Sequence, residues 1–151
     1  GAKALNYNIV YLLHPNTSSQ LDDYTMTSDR VRLLSPSEDV SYEQVLTESD
    51  LMVTDYSGVQ FDFAHMNKPV VYYHHPSIAP HYEADTFSYE QHGFGEIADR
   101  EEDLVDLLIE YMQSECKIRV EYQDRINAFF THHDRENSRR IYEVGRELMD
   151  Q

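Results

Sequence analysis

Tryptophan is absent from these 151 residues, and cysteine occurs once, at Cys116. A single thiol cannot close a disulfide within the chain, so packing alone must hold the fold, and a reducing compartment is the simpler setting. Glycine and proline, five of each, are too few for a linker or a low-complexity tract. No run reaches the roughly 20 apolar residues a bilayer helix requires, and no basic segment leads into an apolar stretch at the start. These absences predict a soluble, cytoplasmic chain. Positive charge is scarce too: 12 Lys and Arg stand against 28 Asp and Glu, a formal net charge of −16. Arg139-Arg140 is the sole adjacent basic pair, so no nucleic-acid partner is expected, an anionic lipid surface is a poor match, and a phosphorylated substrate needs local donors.

What is present suits one compact α/β domain. Hydrophobic residues make up 40% of the chain, with 12 Tyr and 6 Phe available for a core. Apolar runs at 8–13, 31–34, 51–54 and 70–73 predict short strands, the first two stopped by His14-Pro15 and Ser35-Pro36. Ser41 is the expected N-cap of a helix over 42–48, with Gln44 placed to close a capping box. Between the third and fourth strands, Asp55-Tyr56-Ser57-Gly58 turns the chain into a helix over 59–66 that Asn67-Lys68 closes. Strand, helix and strand in so few residues demand a right-handed crossover and parallel neighbours. From His74 to Ile97 the pattern breaks into turns and aromatic residues, with Gly93-Phe94-Gly95-Glu96 read as a flexible turn before a short strand at Ile97-Ala98. Helices are predicted over 101–112 and 117–130, and a last one is capped by Asp134 or Asn137 and carries Ile141, Val144 and Leu148. The absence of a strand and helix ahead of Asn8 leads us to expect a fragment of a larger fold.

Chemistry is best sought at the carboxyl end of the third strand, because open α/β sheets bind ligands along that edge. There Thr54, Asp55, Tyr56, Ser57 and Gly58 offer hydroxyls and the free N–H groups of a helix start to a phosphate. The same residues read equally well as a capped helix with no ligand, and they form neither a Walker loop nor a dinucleotide fingerprint. His14 also follows a strand, at a place where an imidazole can bind a phosphate or exchange a proton, although a solvated loop histidine fits as well. Asp62 and His65, three apart on one helix, are expected within reach of each other. Gly93 and Gly95 permit a close ligand approach, as does any ordinary turn. His74-His75, His81, His92 and His132-His133 match no zinc spacing, so neither a metal nor any other cofactor is expected.

The run from Ser49 through Ala64, centred on Thr54-Asp55-Tyr56-Ser57-Gly58-Val59-Gln60-Phe61-Asp62-Phe63, with Lys68-Pro69-Val70-Val71-Tyr72-Tyr73 after it, resembles the CDP-glycerol glycerophosphotransferase family of teichoic acid synthesis. His14-Pro15 is similar to that family's earlier His-Pro motif. Phe87-Ser88-Tyr89-Glu90 with Gly93-Phe94-Gly95 resembles its aromatic and glycine segment, and the run from Asp134 to Arg140 its final polar motif. The resemblance implies a Rossmann-like parallel sheet flanked by helices, with the whole chain, 1–151, as a partial carboxyl-terminal donor-binding domain of a GT-B transferase. It implies CDP-glycerol or another nucleotide-linked donor, a teichoic-acid-like polymer acceptor, and an amino-terminal half of the same protein as the other wall of the cleft. It further implies a catalytic role for His14, donor-phosphate contacts from Thr54, Asp55, Tyr56, Ser57 and Gly58, and support from Pro15, Asp62, Gly93 and Gly95. Membrane proximity, peripheral at the inner face of the plasma membrane, follows from the family's lipid-linked acceptor.

Two departures bear on the donor. Leu12-Leu13 stand where the family carries a basic residue close before the His-Pro pair, and Gly58 stands in place of a second serine. Each removes a possible phosphate contact, which keeps a sugar-nucleotide glycosyltransferase and a noncatalytic interaction domain open as alternatives. The isolated chain is expected to fold without catalysing transfer.

Overall fold

The computed structural model describes residues 5–13, 25, 27–34, 41–77 and 87–149. His14, Pro15, Pro36 and His81 lie outside the described residues. Among the described residues the strands are all parallel and helices flank them, the α/β, Rossmann-like arrangement expected of a GT-B carboxyl-terminal half. They form two sheets where the sequence suggested one. β1 (Ile9–Leu12) pairs with β2 (Val31–Leu34), Ile9 opposite Val31 and Leu12 opposite Leu34. β3 (Met52–Thr54), β4 (Val70–Tyr73) and β5 (Gly95–Ala98) make the second sheet in that order, with Thr54 opposite Tyr72 and Tyr72 opposite Ile97.

Local chemistry sets the connections. α1 (Tyr42–Glu48) starts at Ser41, whose Oγ accepts the Gln44 N–H at 3.0 Å. The reciprocal half of the capping box does not form, because the Gln44 amide reaches forward to Glu48 at 3.0 Å. Lys68 closes the other end: its Nζ donates to the carbonyls of Leu46, Thr47 and Ser49 at 3.1, 2.6 and 2.6 Å, placing a cation on the negative end of the helix. α2 (Val59–His65) carries the crossover from β3 to β4 and stops where Asn67 takes a left-handed φ of 57°, its N–H bonded to the Ala64 carbonyl. A short α3 (Tyr89–His92), capped by Ser88, interrupts the segment read as turns and leads into β5.

β5 begins at Gly95, two residues earlier than expected, and glycine is obligatory there. A Cβ would lie 1.6 Å from the Val70 carbonyl oxygen across the ladder, and one on Gly93 would lie 2.2 Å from the Tyr89 carbonyl oxygen. The close approach these glycines permit is thus to the chain's own backbone. Glu96 is tolerated in the strand because Tyr111 donates to its carboxylate at 2.8 Å and Arg119 pairs with it at 2.7 Å. Tyr111 belongs to α4 (Glu101–Gln113), which packs on β4 and β5. α5 (Val120–Phe129) starts three residues later than the sequence suggested, after Glu115 and Cys116 turn the chain through left-handed φ values of 57° and 52°. α6 (Asn137–Met149) follows.

The core lies between the second sheet and its helices. Phe63, Val70, Val71 and Tyr72 have no exposed surface, and Phe94, Ala64 and Ile126 form a neighbouring cluster. α6 buries no residue, and among the described residues no helix is long and apolar enough to cross a membrane.

Candidate functional site

Thr54 ends β3, and the next four residues form a partly exposed ledge at the carboxyl edge of the sheet. Gly58 occupies the N-cap position of α2 with φ −64° and ψ −20°, a conformation open to any residue, and supplies no side-chain cap. Ser57 Oγ lies 3.5 Å from the Val59 nitrogen, at the outer limit of a hydrogen bond. The capped-helix alternative therefore uses little of the hydroxyl's capacity. The first helical bonds run from Gln60 to the Ser57 carbonyl at 3.4 Å and from Phe61 to the Gly58 carbonyl at 3.1 Å, which leaves the Gly58 and Val59 N–H groups at the front of the turn.

Behind the ledge stands an aromatic wall. Tyr56 stacks on His74 with centroids 4.1 Å apart and planes 16° apart, and Tyr89 meets both edge-on at 5.5 and 4.7 Å. His74 follows β4 directly, and its N–H is bonded to the Ala98 carbonyl at 2.8 Å. Burial holds its imidazole below the ordinary histidine value, against the opposing pull of the Asp55 carbonyl and of the Glu90 and Asp55 charges. Its Nε2 is buried without a hydrogen-bond partner.

Under the wall lies a polar network that sequence reasoning missed. Gln60 is 1% exposed; its Oε1 accepts from Tyr72 at 2.6 Å and its Nε2 donates to Tyr89 Oη at 3.2 Å. Tyr72 Oη in turn accepts the Phe94 N–H at 3.1 Å. Burial pushes the Tyr72 phenol well above its ordinary range, so it stays protonated and structural. A glutamine on a helix reads as solvent-facing, and only the tyrosines at 72 and 89 hinted at partners for it.

The remaining candidates are more scattered. Leu13, which precedes His14, is buried; its N–H is bonded to the Leu34 carbonyl at 3.0 Å and its carbonyl accepts Tyr42 Oη at 3.3 Å. β1 is paired with β2 and β3 with β4, so the segments ending at Leu13 and Thr54 belong to different sheets. Asp62 lines an open groove of about 800 Å³ with Glu43, Thr47, His65 and Phe129, away from the 54–58 turn. It does not bond to His65, whose Nε2 lies 3.1 Å from the His132 carbonyl and whose ring runs parallel to His133. A second groove, of about 810 Å³, opens beyond β4 and β5 among Tyr73, His75, Asp99, Arg100, Glu102 and Asp106; Arg100 is paired with Asp103 at 2.7 Å, and the acidic wall is a poor match for a phosphate. His75 bonds to Ser77 and His92 to Ser88, and among the described residues no three His, Cys, Asp or Glu converge as metal ligands.

Comparison with known proteins agrees with the motif reading. The profile of the family described as CDP-glycerol:poly(glycerophosphate) glycerophosphotransferase matches residues 2–144. The chain is 35% identical over 147 residues to the minor teichoic acid biosynthesis protein GgaB of Bacillus subtilis (strain 168). That alignment takes in 97% of this chain and 16% of GgaB, so the chain spans a small part of its relative's length. No solved structure matches the chain significantly.

Proposed function

The chain belongs to the CDP-glycerol:poly(glycerophosphate) glycerophosphotransferase family, and from that premise we propose that it is the donor-binding part of a transferase moving glycerol phosphate from CDP-glycerol to a teichoic-acid-like polymer. The observation that carries this reading is the position of the family's central block. Thr54, Asp55, Tyr56, Ser57 and Gly58 form an accessible turn at the carboxyl edge of a parallel sheet, where open α/β folds receive ligands.

In the proposed reaction an acceptor hydroxyl oxygen bonds to the phosphorus that carries the glycerol, the bond from that phosphorus to the CMP oxygen breaks, and CMP leaves. Such an in-line step needs donors to neutralise the diphosphate and a base to take the hydroxyl proton. We assign the Ser57 hydroxyl and the Gly58 and Val59 N–H groups to the diphosphate, with the Thr54 hydroxyl in support. A carboxylate cannot donate to a phosphate, so Asp55 acts through its backbone, and Tyr56 through its ring. His14, followed in sequence by the supporting Pro15, is the proposed catalytic residue, on the strength of its motif. The second wall of the cleft is assigned to an amino-terminal half of the same protein, and peripheral attachment at the inner face of the plasma membrane to regions other than this acidic chain.

Calorimetric titration of the full-length protein with CDP-glycerol, CDP and UDP- and GDP-sugars, together with an assay of CMP release, tests the proposal. Ser57→Ala is expected to lose roughly 1.5 to 3 kcal/mol of donor affinity, and His14→Ala to slow turnover without unfolding the domain. Preference for a sugar nucleotide would replace the donor assignment. Unchanged affinity and turnover in both folded variants would reject both assignments.

A further inference from the structure

We propose that Gln60 is a positioning residue of the donor turn: its buried amide ties the first turn of α2 to β4 and α3, and so sets where the Gly58 and Val59 N–H groups stand for the donor diphosphate. The inference rests on the reading of the 54–58 turn as the donor site.

Gln60 is the second residue of α2, directly behind those two N–H groups. Its own N–H is bonded to the Ser57 carbonyl at 3.4 Å, so the glutamine and the turn are joined through one helical step. Val59 before it and Phe61 after it are apolar, and of these three side chains only that of Gln60 can bond to the sheet. It makes two hydrogen bonds. Oε1 accepts from Tyr72 on the middle strand at 2.6 Å, and Nε2 donates to Tyr89 on α3 at 3.2 Å. Tyr72 Oη is held in turn by the Phe94 N–H at 3.1 Å, just ahead of β5. One amide thus connects the helix start, the middle strand and α3.

The site is otherwise apolar. Gln60 and Tyr72 are sealed from solvent and Tyr89 nearly so, and the amide must recover its lost hydration in these bonds. Further along α2, Phe63 and Ala64 are fully buried and hold the helix against its neighbours. The hydrophobic effect behind such packing has no direction, whereas a hydrogen bond weakens steeply with angle. The amide therefore adds orientation, at the end of the helix where the phosphate donors lie. Such donors act only where their geometry is held, and small misplacements are costly. An apolar side chain of the same length should be felt in two separable ways. Stability falls because the buried Tyr72 hydroxyl loses its acceptor, and donor affinity falls because the helix start is no longer oriented.

The test uses the full-length protein and measures the Kd for CDP-glycerol by calorimetry, kcat for CMP release and the melting temperature. Gln60→Met keeps the length of the side chain and makes neither bond. It is expected to raise Kd about five- to tenfold, the worth of one hydrogen bond, with kcat at saturating donor within about twofold, and to lower the melting temperature. Adding Tyr72→Phe removes the hydroxyl that has lost its acceptor. The pair should regain part of the melting temperature and keep the raised Kd, a split that a purely structural glutamine does not produce. A native Kd in folded Gln60→Met, a Kd that returns to native as the melting temperature recovers in the pair, or a fall in kcat with no change in Kd overturns the inference. Should Gln60→Met alone fail to fold, the pair decides. Ser57→Ala run in parallel separates the two ideas: a raised Kd there beside a silent Gln60→Met sinks the positioning role alone, and an unchanged Kd in Ser57→Ala removes the donor site and this inference with it.

Discussion

The two parallel sheets are made of similar short apolar strands under different conditions. In β3-β4-β5, the middle strand gives Val70, Val71 and Tyr72 to the core with no exposed surface, and α2 and α4 pack against it. In β1-β2, Ile9, Val10 and Tyr11 are 47, 39 and 45% exposed. Successive residues of a strand point to opposite faces, so neither face of β1 is sealed by the described residues, although parallel sheets are ordinarily covered on both. The difference bears on function. The 54–58 turn grows out of a sheet that its own helices hold in place, whereas Leu13, at the end of the first strand, is anchored through Leu34 and Tyr42. The geometry of the proposed donor turn is thus a property of the packed sheet.

Three tests sharpen that contrast. The largest loss is expected from Gly95→Ala, since a Cβ 1.6 Å from the Val70 carbonyl oxygen forces β4 and β5 apart; urea unfolding should show a loss of about 3 kcal/mol or more. A loss under about 1 kcal/mol would mean that this ladder yields and is not the rigid base described. Gln60→Met comes next, at about 2 to 3 kcal/mol, because it takes the acceptor from the buried Tyr72 hydroxyl and removes the bond to Tyr89. Adding Tyr72→Phe should recover part of that loss, and strict additivity of the two changes would deny the network. A matched pair then compares the sheets directly. Val71→Ala, at a fully buried position, should cost roughly 2 kcal/mol, and Val10→Ala, at an exposed one, under about 0.5. Equal losses would break the comparison.

The packed region was also the more legible in sequence. The crossover from β3 through α2 to β4 was readable because Thr54 to Pro69 changes from a strand run to a helix period and back, with a turn at one end and Asn67 at the other. The cap at Ser41 and the start of α4 were local signals and were found at the positions expected. What escaped depended on contacts distant in sequence. Gly95 and Glu96 look like a turn until Val70, Tyr111 and Arg119 are brought beside them. Gln60 looks solvated until two tyrosines bond to it, and His74 looks like one member of a histidine loop until Tyr56 lies on its ring. The division of the strands into two sheets depends on pairing, which apolar runs alone do not encode. At the turn itself, sequence supplied the residues and their edge of the sheet, but not the wall that holds them.

The smallest effect is expected where packing is absent, at the start of α6. No residue of that helix is buried, so its first turn depends on surface charge. The Asp134 carboxylate accepts two hydrogen bonds from Arg140, at 2.7 and 2.5 Å, and the Glu136 N–H at 2.9 Å, and Arg140 also donates to Asn137 at 2.9 Å. Arg140 first, and the Glu136 N–H second, hold the Asp134 carboxyl far below the usual carboxylate range. With the folded value depressed, the stabilisation is present above the unfolded value of about 4 and is lost as pH falls through the folded value. The pair is solvent-exposed and salt weakens it, so its influence stays within the helix start. Asp134→Asn at neutral pH, or added salt in the native chain, should move the NMR shifts of residues 137–141 toward coil while leaving the urea midpoint in place. Acid titration of the native chain should reproduce the same shift changes below about pH 4, the carboxylate range. A urea midpoint displaced as far as by Val71→Ala would show instead that α6 is coupled to the packed sheet, and the contrast between packed and exposed regions would have to be redrawn around that contact.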